Sequence, residues 1–209
     1  MVTPAFNASR TLRRAHASVR GQSHAAWEHI LVDDASTDDS AGVLQDLARD
    51  ARITVLRLAA NGGTGKSLNA GLALARGAYI AFLDADDEYH PDHLSSHVAA
   101  LEERPEVGLL WGGVHVVARR YEDTLVPDVE KGAGLILVSE CIVQGTIFGR
   151  RCVFQEHRFS EDRSVWWQDY EFVKRVEAHF RVERFRRPTY RYYRDSGQSL
   201  VDRAKAGWV

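Results

Sequence analysis

Three acids follow an apolar run in Tyr79-Ile80-Ala81-Phe82-Leu83-Asp84-Ala85-Asp86-Asp87. Tyr79 to Leu83 has the length and composition of a buried strand. Carboxylates are not tolerated inside such a strand, so these acids belong at its exit, at the carboxyl edge of a sheet. That edge is the preferred ligand position of open α/β folds. Alternate residues of an extended chain point the same way, so Asp84 and Asp86 can offer two hard oxygen donors to one site. Such a pair suits Mg2+ or Mn2+ carrying a diphosphate. The plain alternative is a strand-to-helix turn with Asp as helix cap and solvated acids.

A second apolar run, His29 to Val32, ends in Asp33-Asp34, again at a strand exit and ahead of the polar cluster Ser36 to Ser40. Further on, Asp169 stands among Trp166, Trp167 and Tyr170 at the start of a helical pattern. Ala60-Asn61-Gly62-Gly63-Thr64-Gly65-Lys66-Ser67 nearly matches the phosphate-binding P-loop, with Ala60 in the first glycine position. It follows a strand and opens a helix, as a phosphate cradle requires.

The elements that position these residues alternate. Strands are expected at His29–Val32, Ile53–Leu58, Tyr79–Leu83 and Val107–Trp111. Helices are expected at 9–19, 41–50, 66–76 and 91–103, the first capped by Asn7 or Ser9 and the third ended by Gly77. This predicts an α/β fold with a mostly parallel sheet and helices on its faces. Past Gly112 the pattern weakens. A strand at 114–119, a surface loop at 123–134, strand and turn at 136–149, a helix at 167–180 and a last strand at 189–193 are expected. Met1 to Asn7 carries no full strand ahead of its proline turn, which would leave the sheet open at its centre.

The 209 residues suit one domain with a sizeable core. A net charge of -2 argues against a dedicated nucleic-acid binder. The run holding Arg181, Arg184, Arg186, Arg187, Arg191 and Arg194 reads as a solvated face, or as one that meets phosphate or an anionic membrane. Cys141 and Cys152 form no zinc or redox pattern and are expected as free thiols. Without a membrane-length apolar stretch or a signal peptide, the expected location is the cytosol, including the inner face of the membrane.

Four stretches, in order, resemble the family 2 glycosyltransferases of the GT-A fold: Pro4-Ala5-Phe6-Asn7, Val32-Asp33-Asp34-Ala35-Ser36-Thr37-Asp38, Asn61 to Gly71 with Arg76-Gly77-Ala78-Tyr79-Ile80, and Leu83-Asp84-Ala85-Asp86-Asp87. Gln168-Asp169-Tyr170-Glu171 and Tyr190-Arg191-Tyr192-Tyr193-Arg194 resemble two later motifs of that family. The resemblance implies a single Rossmann-like α/β/α GT-A domain over 1–209. Its nucleotide-sugar-binding half would be 1–111 and its acceptor-binding half, a C-terminal extension, 112–209. It implies a metal-dependent, inverting transfer of sugar from a nucleoside-diphosphate donor, most often UDP-linked, to a hydroxyl of a saccharide or lipid-linked acceptor in glycan or cell-envelope biosynthesis. Peripheral membrane association would follow from a lipid-linked acceptor.

By the same resemblance, Asp34 would read the base, with Pro4, Ala5 and Phe6 as the facing wall. Asp84 would touch the ribose or metal, Asp86 would hold the cation, Lys66 would meet phosphate, and Asp169 would be the general base. Helix capping remains the alternative for Asp33, Asp34 and Asp169, and a core position for Phe6. The sequence departs from the family at Gln168 for Glu, at Leu68 for an Arg, and at Arg194 or Asp195 near a usual His. No Q-x-x-R-W motif or following membrane helix points to a processive synthase. Two rival readings are a P-loop nucleotide hydrolase using 60–67 and a non-catalytic GT-A-like binding module.

Overall fold

The computed structural model describes residues 1–194; Asp195 lies outside the described residues. The chain runs β1 (Val2–Ala5), α1 (Leu12–Arg20), β2 (His29–Asp33), α2 (Ser40–Leu47), β3 (Ile53–Arg57), α3 (Thr64–Leu74) and β4 (Tyr79–Ala81). It continues with β5 (Glu88–Tyr89), α4 (His93–Glu102), β6 (Val107–Trp111), β7 (Val114–Val117), β8 (Leu125–Pro127), β9 (Leu135–Leu137) and β10 (Phe148–Arg150). Helices α5 (Arg151–Glu156) and α6 (Gln168–Glu177) and strands β11 (Arg181–Arg184) and β12 (Tyr190–Tyr193) complete it.

β1, β2 and β3 pair in parallel. A parallel bridge between Val2 and Phe82 joins β1 to the end of β4. β10 is antiparallel to both β4 and β6, and β11 closes the far edge parallel to β6. A smaller sheet sets β12 between β5 and β7, and β8 with β9 forms a separate antiparallel pair.

Alternation along one strand produces the layers. Ile80 and Phe82 pack with Leu68 and Leu72 of α3 and Phe172, Val173 and Val176 of α6. Ala81 and Leu83 pack with Ala15 and Val19 of α1 and Leu94 and Leu101 of α4. Successive side chains of a strand leave opposite faces, so helices cover the sheet on both sides. All five residues of β2 are buried, as a strand covered on both faces requires.

Several expectations need correction. Residues 2–5 do form a strand, and it lies centrally, between β2 and β4. Pro4 fits there because it opposes Val32 while costing only one backbone donor. Helix α1 begins at Leu12, not residue 9, and neither Asn7 nor Ser9 caps it. Helix α3 begins two residues early, at Thr64, because Gly63 supplies a left-handed φ of 84° as its cap. It also stops early, since the Glu28 carboxylate takes the N–H groups of Arg76 and Gly77 at 2.7 and 2.9 Å. Elements β5, α5 and β11 have no clear periodicity and went unforeseen. The arginine run is laced by ion pairs rather than bare: Arg181–Glu183, Arg184–Glu140, Arg187–Asp92 and Arg191–Glu88.

Candidate active site

The acidic exit of β4 is a turn, not a continued strand. The N–H of Asp87 donates to the Asp84 carbonyl at 3.1 Å, so Asp84 and Asp86 are brought together by chain reversal instead of strand alternation. Asp84 is half-buried, Asp86 exposed and Asp87 buried. Tyr190, fully buried on β12, donates its hydroxyl to Asp87 Oδ2 at 2.6 Å and lies 3.3 Å from Asp84 Oδ2. The Tyr193 N–H donates to Asp87 Oδ1 at 2.8 Å. Gln144 Nε2 donates to Asp84 Oδ1 at 2.7 Å. Burial, then the charges of Asp86 and Asp169, push Asp84 up to about 7 against the pull of Tyr190. Asp87 is raised by burial and by Asp84 and Asp86.

Crowded like charges of this kind are relieved by a cation. Asp84 and Asp86 are hard oxygen donors of the type Mg2+ and Mn2+ prefer. Among the described residues no group of three or more His, Cys, Asp or Glu converges as a metal cluster. The set therefore fits an ion that takes its remaining ligands from a bound diphosphate and water.

The second acidic exit lies at the end of β2. Asp33 is buried, accepts the Ser36 N–H at 2.9 Å and faces Arg57 at 3.2 Å. Asp34, 4% exposed, accepts the N–H groups of Gly62 and Gly63, one on each oxygen, both at 2.8 Å. Neither acid is a helix cap: the residue at the start of α2 is Asp39. The glycine loop therefore wraps around Asp34. Each Asp34 oxygen keeps a second lone pair for a donor outside the loop.

That wrapping counts against the P-loop reading. Two loop amides that would cradle a phosphate face Asp34 instead. The Ser160 carbonyl lies where a side chain on Gly65 would begin, closing the loop from the other side. Lys66 is exposed, and its stem lies over Gly62.

Beside Asp34, Pro4 and Ala5 sit on β1 and Phe6 stands 49% exposed. Phe6 is therefore not a core aromatic. Asn7 and Ala35 both adopt left-handed backbone, with φ of 52° and 59°. The Asn7 side chain holds the neighbouring turn, accepting the Thr37 N–H at 2.8 Å. Strained residues at both strand exits fit a site whose loop shapes matter more than local comfort.

Asp169 sits in the first turn of α6, one residue past the helix start, and the N-cap position is Trp167. Tyr170 N–H donates to its Oδ1 at 2.8 Å. Burial pushes Asp169 up to about 6, while the backbone N–H groups of Tyr170, Asp169 and Gln144 pull it back. It opens on a cleft of about 160 Å³ walled by Trp111, Trp166, Trp167, Tyr170 and Tyr192. Rings of this kind offer apolar faces with polar edges.

The structure thus groups Pro4, Ala5, Phe6 and Asp34 at the neighbouring exits of β1 and β2, Asp84 and Asp86 past the end of β4, and Asp169 on the cleft. Lys66 lies in the first turn of α3, just past the glycine loop. Sequence reasoning missed Asp87, Gln144 and Tyr190. Tyr190 lies in the noticed Tyr-Arg-Tyr run, and Asp87 ends the acidic triplet. Gln144 carried no signal, because nothing near it in sequence shares its role.

Parallel strands with acids at their exits, and helices on both faces, make an open α/β sheet whose exit edge is the preferred ligand edge. The chain belongs to the glycosyl transferase family 2, whose model matches residues 1–197. It is 41% identical over 114 residues to the O-antigen biosynthesis protein RfbC of Myxococcus xanthus, covering 53% of this chain and 9% of that protein. It is 38% identical over 93 residues to the succinoglycan biosynthesis protein ExoO of Rhizobium meliloti, covering 44% of this chain and 26% of that protein. The chain spans well under half the length of these curated relatives. Staphylococcus aureus TarS 1-349 in complex with UDP-GlcNAc superposes with a TM-score of 0.75 at 20% identity, over 97% of this chain and 60% of TarS 1-349. A mannosyltransferase from Pyrobaculum calidifontis in complex with GDP-Man and Mn2+ gives 0.71 at 18% identity, over 91% of this chain and 55% of that one. At these identities the likeness establishes the GT-A fold. Among the described residues no helix is long and apolar enough to cross a membrane.

Proposed function

We propose that this chain transfers a sugar, with inversion and with a divalent cation, from a nucleoside-diphosphate donor to an acceptor hydroxyl in glycan or cell-envelope biosynthesis. UDP is the expected nucleotide. The observation that carries the reading is a meeting of distant residues. Asp84 follows β4 and Asp169 lies at the start of α6, yet the Asp169 charge helps to raise Asp84.

In this reading the base lies against Phe6, with Pro4 and Ala5 behind it, and a base N–H donates to a remaining Asp34 lone pair. Asp84 and Asp86 would hold Mg2+ or Mn2+ with the donor diphosphate. When bound, the cation offsets charge on the departing nucleotide. Lys66 would add a further positive charge near the phosphates. Asp169 accepts the proton of the acceptor hydroxyl as that oxygen attacks the anomeric carbon. A base standing opposite the leaving nucleotide gives direct displacement and inverted configuration. The aromatic wall both raises the basicity of Asp169 by desolvation and stacks on a saccharide acceptor. One domain would serve both halves, with residues 1–111 holding the donor and 112 onward the acceptor. The work would be done on the cytosolic side, at the membrane surface where the acceptor is lipid-linked.

Thermal shift with UDP, GDP and TDP, each with Mn2+, is the direct experiment, because a ligand that binds only the folded state raises its stability. UDP with Mn2+ is expected to raise the midpoint, and Asp86→Ala to lose the Mn2+-dependent part. No shift with any of the three nucleotides would overturn the reading. A UDP shift with no transfer from any donor would make the chain a binding module.

A further inference from the structure

The cleft beside Asp169 carries a charge pattern that proton transfer alone does not use. Among its charged lining residues, Asp128, Glu130, Glu140 and Asp169 are acids and Lys174 is the base. Two of its rings, Trp166 and Trp167, stand at 89° to one another with centres 5.4 Å apart. The β8–β9 hairpin builds the acidic side. Val126 opposes Ile136 across it, and both line the cleft. Asp128 closes the hairpin turn: its carbonyl accepts the Gly132 N–H at 3.0 Å and its N–H donates to the Gly134 carbonyl at 3.0 Å. Its Oδ1 accepts the Lys131 N–H at 3.1 Å. Gly132 and Gly134 supply the positive φ, 68° and 84°, that this turn requires. Asp128, Val129 and Glu130 are thereby held along the cleft.

Most of these charges are answered within the protein. Asp128 pairs with Lys131 at 3.3 Å, Glu140 with Arg184 at 2.8 Å and Lys174 with Glu177 at 3.1 Å. Lys174 also lies 5.6 Å from the centre of the Tyr170 ring. These pairs cancel, and Glu130 and Asp169 are left to face a ligand. Cys141, on the same lining, registers the sign: burial, then Asp169, Asp128 and Glu140, push its thiol up to about 12 against the opposing pull of Arg184. An ionised carboxylate only accepts hydrogen bonds, so it suits the O–H donors of a sugar. A carboxylate or phosphate on the ligand meets like charge instead, between apolar walls where screening is weak.

We propose that this cleft selects an uncharged saccharide as acceptor over uronic acids and phosphorylated sugars, with Glu130 on the hairpin turn setting the discrimination. The inference rests on the transferase reading above and names the acceptor class of that same site. The rings supply stacking that any pyranose can use. The acids decide by charge which pyranose enters.

Two measurements test it. The first needs no turnover. In a Cys152→Ser background, Cys141 is modified by a cationic and by an anionic methanethiosulfonate, and each rate is divided by the same reagent's rate on free cysteine. The cationic reagent is expected to react about tenfold faster after that correction, with the ratio shrinking at high salt and in Glu130→Gln. A ratio of one or less overturns the inference, and so does a ratio that Glu130→Gln leaves unchanged. The second compares transfer, with a UDP-sugar and Mn2+, to methyl glucoside, galactoside and mannoside and to their matching uronides. Within each pair the neutral sugar is expected to show a kcat/KM about tenfold higher, and Glu130→Gln to narrow the gap. A uronide preferred by wild type overturns the inference. If Cys141 reacts with neither reagent, the transfer pairs decide alone. A cation-selective thiol on a wild type that transfers from no donor removes the transferase reading and the acceptor claim with it. An active wild type that prefers uronides removes this inference alone.

Discussion

Asp34 and Asp169 are both carboxylates of the candidate site, and the fold treats them oppositely. Asp34 is held by its surroundings: two glycine N–H groups at 2.8 Å, one on each oxygen, knit the loop to the strand. Asp169 is set among tryptophans, with burial outweighing the amides that face it, so its proton is held up to about pH 6. The first arrangement stabilises the protein and is rigid. The second costs stability and yields a base with affinity for a proton near neutral pH. A binding acid and a reacting acid are told apart by whether the protein has already satisfied the charge.

The sharpest way to break this contrast is to neutralise each acid in turn. Asp169→Asn is expected to lower kcat by roughly 10²–10⁴-fold while leaving UDP binding intact. Its stability should move the other way. The folded pKa of Asp169 is raised, so the folded state binds more protons than the unfolded one between about pH 4 and 6. Stability from this group is present at low pH and lost as pH rises through about 6. The Asn variant should therefore gain up to about 3 kcal/mol at pH 7.5 and far less at pH 4, read by urea melts at both. Asp34→Ala should instead lose about 1.5–3 kcal/mol, because two backbone donors lose a charged acceptor. Equal stability effects for the two variants would dissolve the distinction.

Next in size is the tyrosine bonded to the acids at the exit of β4. Tyr190→Phe removes the hydroxyl from buried Asp87 and should cost about 1–3 kcal/mol in a thermal or urea melt. A smaller effect is expected at the cleft wall. Trp166→Ala should raise acceptor KM by about fivefold, from about 1 kcal/mol of lost stacking, with donor KM unchanged. The smallest is Ala35→Gly. Ala35 holds a φ of 59°, so glycine there should add about 1 kcal/mol by denaturant melt without altering kinetics.

The donor side was largely legible in the sequence because its logic is local. Apolar runs such as His29–Val32 and Tyr79–Leu83 declare buried parallel strands, and acids directly after them must lie at the sheet edge. The roles of turns were harder to read. The Asp84–Asp87 reversal and the early start of α3 depend on single backbone bonds and on one glycine with positive φ. The central strand at 2–5 was overlooked because four residues containing a proline carry little pattern. The acceptor side was legible only at α6, whose Phe172, Val173 and Val176 face inward as their spacing required. Gln144 and Tyr190 meet Asp84 across 60 and 106 residues of sequence, and no local periodicity encodes such a meeting. Strand β11 is marked by charge, not apolarity, because it closes a sheet edge with ion-paired arginines.

The central claim is that a donor held by Asp84 and Asp86 is attacked from the side of Asp169. Proton NMR of the first product formed from a UDP-α-sugar tests it directly, through the anomeric coupling. The β configuration is expected, and its formation should vanish in Asp169→Asn. An α-linked product would contradict the account.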